Sequence, residues 1–142
     1  MSYMSGDTFV DTNILIYAHD LDAGDKNVKA AAVIQDLWDS MRGMVSTQVF
    51  QEFYVNATQK IPQPLPHAVV RGIIENYLAW QVQIVYPATI LRASEFQERH
   101  RLSYWDAMIV AAACEGHAKV LLTEDLNHGQ IIEGIRIINP LH

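Results

Sequence analysis

Residues 7–20 have the sequence DTFVDTNILIYAHD, and the order of apolar and polar positions in this stretch decides the fold. Thr8 to Val10 form a short apolar run, which predicts a buried strand that ends at Asp11. The segment from Asn13 to Ala18 is predicted to form a short helix. A strand followed directly by a helix is the unit from which α/β domains are built.

The alternation of strand and helix recurs to the end of the chain. Short apolar runs predict further strands at 44–46, 82–85, 120–123 and 135–138. Apolar periodicity predicts helices at 26–39, 67–80, 88–101 and 103–115, and another that begins after Ser46 or Thr47. In the helix at 26–39, the candidates for the buried face include Val28, Ala32 and Leu37. The whole pattern predicts an α/β domain with a mainly parallel sheet.

Composition restricts the classes of protein to which the chain can belong. Half of the residues are hydrophobic and 18% are charged, which favours a folded domain over a disordered chain. With 142 residues and no repeat or long linker, a single domain over residues 1–142 is expected. The longest apolar run, Ala107 to Cys114, is too short to cross a bilayer, and the N-terminus lacks the basic region expected of a secretory signal. We therefore expect a cytoplasmic protein without a membrane partner.

Acidic residues follow the predicted strands at the points where sites form in α/β folds. Asp11 closes the first strand, and Asp125 follows the strand at 120–123. Glu52 lies early in the helix after the second strand, and Asp106 lies in the first turn of the helix that Ser103 opens. Ligands of α/β proteins bind outside the carboxyl ends of the strands. We therefore expect these four carboxylates to converge at one edge of the sheet.

Converging carboxylates need a proton or a cation between them. At ~4–5 Å and an effective dielectric constant of about 20, each ionised pair costs about 3–4 kcal/mol before screening. Oxygen ligands alone suit Mg²⁺ or Mn²⁺, and the spacing of Cys and His needed for zinc is absent from the sequence. A bound cation would also offset the formal net charge of −6, which otherwise disfavours binding of nucleic acid.

Each acid also has a local explanation that needs no metal. Asp11 can cap the helix that follows it, and Asp106 can belong to the capping box that begins at Ser103. Glu52 can be an exposed helix residue, and Glu124 and Asp125 can be ordinary turn residues. Sequence patterns alone leave these alternatives open for every acid taken separately. They explain less well why all the acids fall at the same predicted edge.

Other phosphate-handling enzymes fit the sequence less well. A phosphatase of the haloacid dehalogenase type needs a second aspartate two residues after Asp11, and position 13 is Asn. Neither a glycine-rich phosphate-binding loop nor a nucleophile elbow is present in the sequence.

Four motifs carry a resemblance to a known family. They are DTFVDTNILIYAHD at 7–20, STQVFQEFYVN at 46–56, SYWDAMIVAAA at 103–113 and LLTEDLNHGQ at 121–130. In this order they resemble PIN domains, above all the VapC-type toxins of bacterial toxin–antitoxin pairs. The resemblance extends from about residue 7 to about residue 140 and implies a three-layer α/β/α sandwich.

The resemblance also implies a function and a set of site residues. It implies an endoribonuclease that depends on Mg²⁺ or Mn²⁺, with Asp11, Glu52, Asp106 and Asp125 as catalytic and metal-binding residues. Polar residues expected to support the site are Thr12, Asn13, Thr123 and Glu124. The main alternative is a PIN-like module that binds RNA or protein without cutting RNA.

The expected partners are an RNA substrate, a small antitoxin protein and a second copy of the chain. Arg99, Arg101 and Trp105 are candidate contacts for RNA. Two alternatives stay open here, because the arginines can form a solvated helix end and Trp105 can be a packing residue. The helix at Asn13 to Ala18 and the helix around Val49 to Tyr54 are candidates for the homodimer interface.

Overall fold

Strands and helices alternate along residues 6–142, which are the residues described by the computed structural model. The strands are β1 (Thr8–Val10), β2 (Gly43–Ser46), β3 (Gln81–Gln83), β4 (Val120–Leu122), β5 (Ile131–Ile132) and β6 (Ile135–Ile138). The α-helices are α1 (Thr12–His19), α2 (Asp25–Ser40), α3 (Thr47–Val55), α4 (His67–Tyr77), α5 (Pro87–His100) and α6 (Tyr104–Glu115). A 3₁₀ turn at Leu21–Ala23 and a π-helical turn at Asn56–Lys60 complete the order.

The six strands form one sheet in the order β3-β2-β1-β4-β6-β5. All neighbouring strands are parallel except β5, which pairs antiparallel with β6. Phe9 in β1 lies in register with Met44 of β2 on one side and with Leu121 of β4 on the other. From β1 the chain continues to β2 and β3 on one side of the sheet, whereas β4 lies on the other side of β1. Folds of this kind bind ligands where the strand order reverses, which is here the crevice at the carboxyl ends of β1 and β4.

The sheet lies in the middle layer of an α/β/α sandwich, as the resemblance to PIN domains implies. Strand β2 is buried along its whole length, as expected for a strand covered on both faces. Helix α6 is buried from Ala107 to Ala113, so its apolar residues surround it rather than forming one stripe. Helices α1 and α2 pack together, and α5 packs along α6. The parallel sheet and the alternation of elements are confirmed.

Two serines fix the starts of the helices that carry Glu52 and Asp106. The Val49 backbone N–H donates to Ser46 Oγ at 3.3 Å, and the Asp106 backbone N–H donates to Ser103 Oγ at 3.1 Å. Each bond satisfies a donor that the first helical turn leaves without an intrahelical partner. Of the two caps that the sequence allowed for α3, Ser46 is therefore the one used.

Several predictions of local structure were wrong in detail. Val28 is 66% exposed and Ala32 is also exposed, because the buried face of α2 is formed by Ala30, Ile34 and Leu37. The third strand begins one residue earlier than predicted and ends at Gln83. Strand β5 and the π-helical turn were missed. Both are too short to show a periodic pattern in the sequence.

The two helices expected at the homodimer interface, α1 and α3, bury most of their apolar side chains in the core of the chain. Ile14 and Leu15 of α1 and Val49 and Phe53 of α3 are fully buried within the chain. The apolar surface that these helices offer to a second copy is therefore smaller than the sequence suggested. Among residues 6–142, no helix is both long and apolar enough to cross a membrane.

Candidate metal centre

Three aspartates from three distant segments meet at the carboxyl edge of the sheet. Asp11 follows β1, Asp106 lies in the first turn of α6, and Asp125 follows β4. Each offers one carboxylate oxygen, and these three oxygens all lie within 4.8 Å of one another. Asp11 is buried, Asp106 is half-buried and Asp125 is exposed, so the cluster is open on one side.

Both carboxylate oxygens of Asp11 accept hydrogen bonds. Oδ1 accepts a hydrogen bond from the Thr12 backbone N–H at 2.7 Å, and Oδ2 accepts one from the Thr123 hydroxyl at 2.8 Å. Asp11 is also the N-cap of α1, so the local explanation and the metal-site explanation are both compatible with its position. The pKa of Asp11 is raised to about 7, mainly by burial and also by the charges of Asp125 and Glu52, against the lowering effect of those two bonds.

Glu52 lies in the same cleft as the three aspartates, but it does not belong to the group whose oxygens lie within 4.8 Å of one another. Its Oε1 accepts a hydrogen bond from the Thr12 hydroxyl at 2.6 Å, and its Oε2 accepts one from Gln48 Nε2 at 3.2 Å. Gln48 Nε2 also lies 3.4 Å from the Trp105 carbonyl oxygen, next to Asp106 in the chain. The glutamate is thus oriented by donors from α1 and from its own helix.

Glu124 turns away from the aspartates despite its place beside Asp125. It accepts a short hydrogen bond from the Tyr17 hydroxyl, and its Oε2 lies 3.1 Å from Lys26 Nζ. Its charge still reaches the cluster, because burial and the charges of Asp106 and Glu124 raise the pKa of Asp125. The Asn13 side chain lowers that pKa by hydrogen bonding. Glu124 therefore acts on the site through its charge.

These residues line a cleft of about 390 Å³, and the oxygen ligands that they offer fit a divalent cation. The cleft is lined by Asp11, Thr12, Asn13, Ile16, Tyr17, Gln48, Glu52, Asn56, Trp105, Asp106, Ile109 and Asp125. The three carboxylate oxygens of the cluster are hard ligands of the kind that Mg²⁺ and Mn²⁺ prefer. Asn13 Oδ1 is buried and has no hydrogen-bond partner among residues 6–142, which leaves one more oxygen free beside the cluster.

The three candidate RNA contacts occupy different environments. The side chain of Trp105 is 63% exposed at the edge of the cleft, so it is not a core packing residue. Arg99 donates to Glu133 Oε2 at 2.7 Å and therefore braces the turn between β5 and β6. Arg101 is exposed, has a left-handed backbone with φ 56°, and lies outside the lining of the cleft.

Two residues of the site with amide side chains were missed by sequence reasoning. Gln48 and Asn56 lie four residues before and four residues after Glu52, and both line the cleft. Asn56 Nδ2 donates to the Glu52 carbonyl oxygen at 2.7 Å. Residues four apart share a helix face, so a search for polar residues at this spacing around Glu52 would have found both.

Comparisons with solved structures find the same fold in a number of proteins, three of which illustrate the likeness. A toxin–antitoxin complex from Klebsiella pneumoniae shows 20% identity and a TM-score of 0.68, covering 94% of this chain and 97% of its own. DNA-bound VapBC from Salmonella typhimurium shows 17% identity and a TM-score of 0.65, covering 93% and 96%. VapC20 from Mycobacterium tuberculosis, a sarcin–ricin loop cleaving toxin, shows 21% identity and a TM-score of 0.61, covering 80% of this chain and 86% of its own.

At these identities the three structures establish the likeness of fold alone. A comparison with curated protein sequences gave no significant match. A comparison with family models matched residues 8–132 to the PIN domain, a range that contains all four acids of the site. Because the match covers most of the chain, the protein belongs to the PIN domain family.

Proposed function

We propose that this chain is a metal-dependent endoribonuclease of the VapC type. The observation that carries the proposal is the meeting of Asp11, Asp106 and Asp125, whose oxygens lie within 4.8 Å of one another in an open cleft. Carboxylates that repel one another in this way are stabilised by a divalent cation, and the family match supports a nuclease. The protein would act on RNA in the cytoplasm.

The three aspartates would hold Mg²⁺ or Mn²⁺. Such a cation, when bound, activates water for attack on phosphorus and neutralises charge on the phosphate and the leaving oxygen. Asp11 is the rigid member, because hydrogen bonds fix both of its oxygens. Asp125 is exposed and is free to adjust to the cation and the RNA phosphate. Thr123 supports both acids, since its hydroxyl also accepts from the Asp125 backbone N–H at 3.0 Å.

Glu52 completes the site as its fourth acid. Thr12 and Gln48 hold its carboxylate toward the cleft, where it can accept a proton from a water molecule or reach the cation through one. Asn13 supports Asp125 and keeps a carbonyl oxygen free for water. Glu124 raises the local negative charge without joining the aspartates.

Purified wild type and Asp106→Asn should be compared on a pool of structured RNAs with Mg²⁺, Mn²⁺ or EDTA. The pool should include a sarcin–ricin loop hairpin, since the M. tuberculosis neighbour is a toxin that cleaves this loop. Asp106 is a better position for the variant than Asp11, because it is half-buried, whereas Asp11 is buried between two donors. We expect cleavage that needs the metal and that Asp106→Asn abolishes.

The matched control is Asp36→Asn, which makes the same chemical change at an exposed position of α2. It should cut like the wild type. Cleavage that persists in EDTA, or in a folded Asp106→Asn protein, would contradict the proposal. Binding of RNA with no cleavage under any condition would favour the alternative of a non-catalytic module.

We further propose that the protein is the toxin of a toxin–antitoxin pair and forms a homodimer. The support is the shared fold with a toxin–antitoxin complex and with VapBC. The expected result is a co-purifying small protein from the native host, whose addition inhibits cleavage, and a dimer by light scattering. A monomer at micromolar concentration with no co-purifying partner would contradict both expectations.

A further inference from the structure

A second cleft of about 570 Å³ adjoins the metal centre. Gln48, Glu52, Asn56 and Trp105 line both clefts, so the two spaces share one wall. The second cleft is more apolar than the first, with Val85, Ile90 and Met108 among its residues. The two clefts are therefore neighbours, and consecutive nucleotides of one strand could occupy them.

Trp105 is the main feature of the shared wall. It directly precedes Asp106, and its side chain is 63% exposed, while Trp80 of the core is only 4% exposed. The edge-to-face contact with Tyr104, at 5.1 Å between ring centroids and 78° between planes, helps to fix the indole. An exposed aromatic face that is held in place is a platform on which a base can stack.

The shared wall also carries an unused hydrogen-bond acceptor. Gln48 is buried, and its Oε1 has no partner among residues 6–142. The orientation of its amide is settled by chemistry, because the two partners of Nε2, Glu52 and the Trp105 carbonyl, are both acceptors. A buried acceptor without a partner is costly, and a ligand that donates a hydrogen bond there would remove the cost.

One cation borders the second cleft. Lys60 lies at the end of the π-helical turn Asn56–Lys60, and no other Lys or Arg lines either cleft among the described residues. Turns of this kind are frequent at functional sites. Lys60 is thus placed to contact a phosphate beside the aromatic platform.

We propose that this second cleft binds the nucleotide next to the scissile phosphate of a single-stranded RNA. In this subsite the base stacks on Trp105 and donates a hydrogen bond to Gln48 Oε1, while Lys60 contacts a phosphate. An RNA strand fits better than an apolar peptide, because its consecutive phosphates connect the metal centre to the platform and the wall carries amides and a cation. The proposal rests on the proposed ribonuclease function and adds a base-binding site to it.

The test measures binding of five-nucleotide single-stranded RNAs by fluorescence anisotropy, in Mg²⁺, with every protein in the Asp106→Asn background to prevent cleavage. Each intact oligonucleotide is compared with versions that lack one base. Trp105→Ala should weaken binding of the intact RNA by about 5- to 150-fold, the range for loss of one stacked base. The loss should disappear when the stacked base is missing.

Three variants separate stacking from other effects. Trp105→Phe should restore most of the affinity, because it keeps an aromatic face. Lys60→Ala should weaken intact and abasic RNAs alike, since phosphates remain in both. Leu78→Ala removes a side chain of similar exposure at the C-cap of α4, outside the lining of either cleft, and should change nothing. Binding should also quench the emission of Trp105, and the abasic RNA should quench it less.

If the Asp106→Asn protein bound the intact RNA with equal affinity with and without Trp105→Ala, the proposed subsite would be wrong. A protein ligand would then be the better candidate for this cleft. An equal loss for intact and abasic RNAs, or the absence of saturable binding, would also overturn the subsite. Failure of the nuclease proposal would be distinguishable. In that case the wild type cuts no RNA, while the dependence of affinity on the base and on Trp105 persists.

Discussion

At the scale of single residues, Thr12 connects two acids of the site. Its backbone N–H donates to Asp11 at 2.7 Å, and its hydroxyl donates to Glu52 at 2.6 Å. One buried side chain thus links Glu52 to Asp11, and Gln48 supplies the second hydrogen bond to the glutamate. Groups that orient the ligands of a metal strongly affect both affinity and activity in other proteins.

Replacing Thr12 with Val should keep the shape of the side chain and remove its donor. Glu52 would then lose one of two side-chain hydrogen bonds, and we expect cleavage to fall by about 10- to 100-fold. The measurement is the cleavage rate at several Mg²⁺ concentrations. Thr12→Ser keeps the hydroxyl and should stay near the wild-type rate. Equal rates for Thr12→Val and the wild type would show that Glu52 does not need this bond.

At the scale of elements, the start of β2 depends on close contact with an aromatic cluster. A Cβ atom at Gly43 would lie 2.4 Å from Trp80 Cδ2. The indole cannot retreat easily, because its ring centroid lies 5.2 Å from that of Trp38 and 4.8 Å from that of Tyr77. The glycine therefore lets β2, the strand that leads to Glu52, pack against the residues between α4 and β3.

Gly43→Ala should lower the free energy of unfolding by about 1–3 kcal/mol, the usual cost of overpacking a core. Urea denaturation provides the measurement. Gly72 in α4 is the matched control, because nothing lies within 4 Å of a Cβ atom there. Gly72→Ala should instead stabilise the protein by about 0.5–1 kcal/mol, since alanine favours a helix interior. Similar effects of the two changes would contradict this account of β2.

At the scale of the whole molecule, the sequence predicted those parts of the site that depend on topology. Asp11 and Asp125 follow neighbouring parallel strands, so the order of elements alone brings them to one edge. Asp106 was predictable in the same way from the cap at Ser103. These positions follow from where elements begin and end, which apolar runs and capping residues indicate in the sequence.

Features that depend on side-chain direction were not predictable. Glu124 and Asp125 are adjacent, yet Lys26 and Tyr17 draw only Glu124 away from the cluster. Arg99 was a candidate RNA contact, but the left-handed turn at Glu133 places a carboxylate beside it. In both cases the deciding partner is more than 30 residues away in the chain. No local pattern contains that information.

The net charge of −6 leads to a prediction about how the molecule meets RNA. Lys60 is the only Lys or Arg lining the two clefts within residues 6–142, so one phosphate contact should dominate the salt dependence. For single strands, one such contact gives a slope of about −0.7 in log K against log salt. Screening of the repulsion between acidic protein and RNA should make the slope shallower still.

The measurement is oligonucleotide affinity of the Asp106→Asn protein at fixed Mg²⁺, between about 50 and 200 mM KCl. Lys60→Ala should bring the slope close to zero, because it removes the contact that releases a counterion. A slope several times steeper would mean that a second basic surface binds the strand. Arg99 and Arg101 would then be the first candidates, and Arg99 would have to leave Glu133 to take part. In that case Glu133→Gln should strengthen RNA binding, whereas a shallow slope predicts no effect of this change.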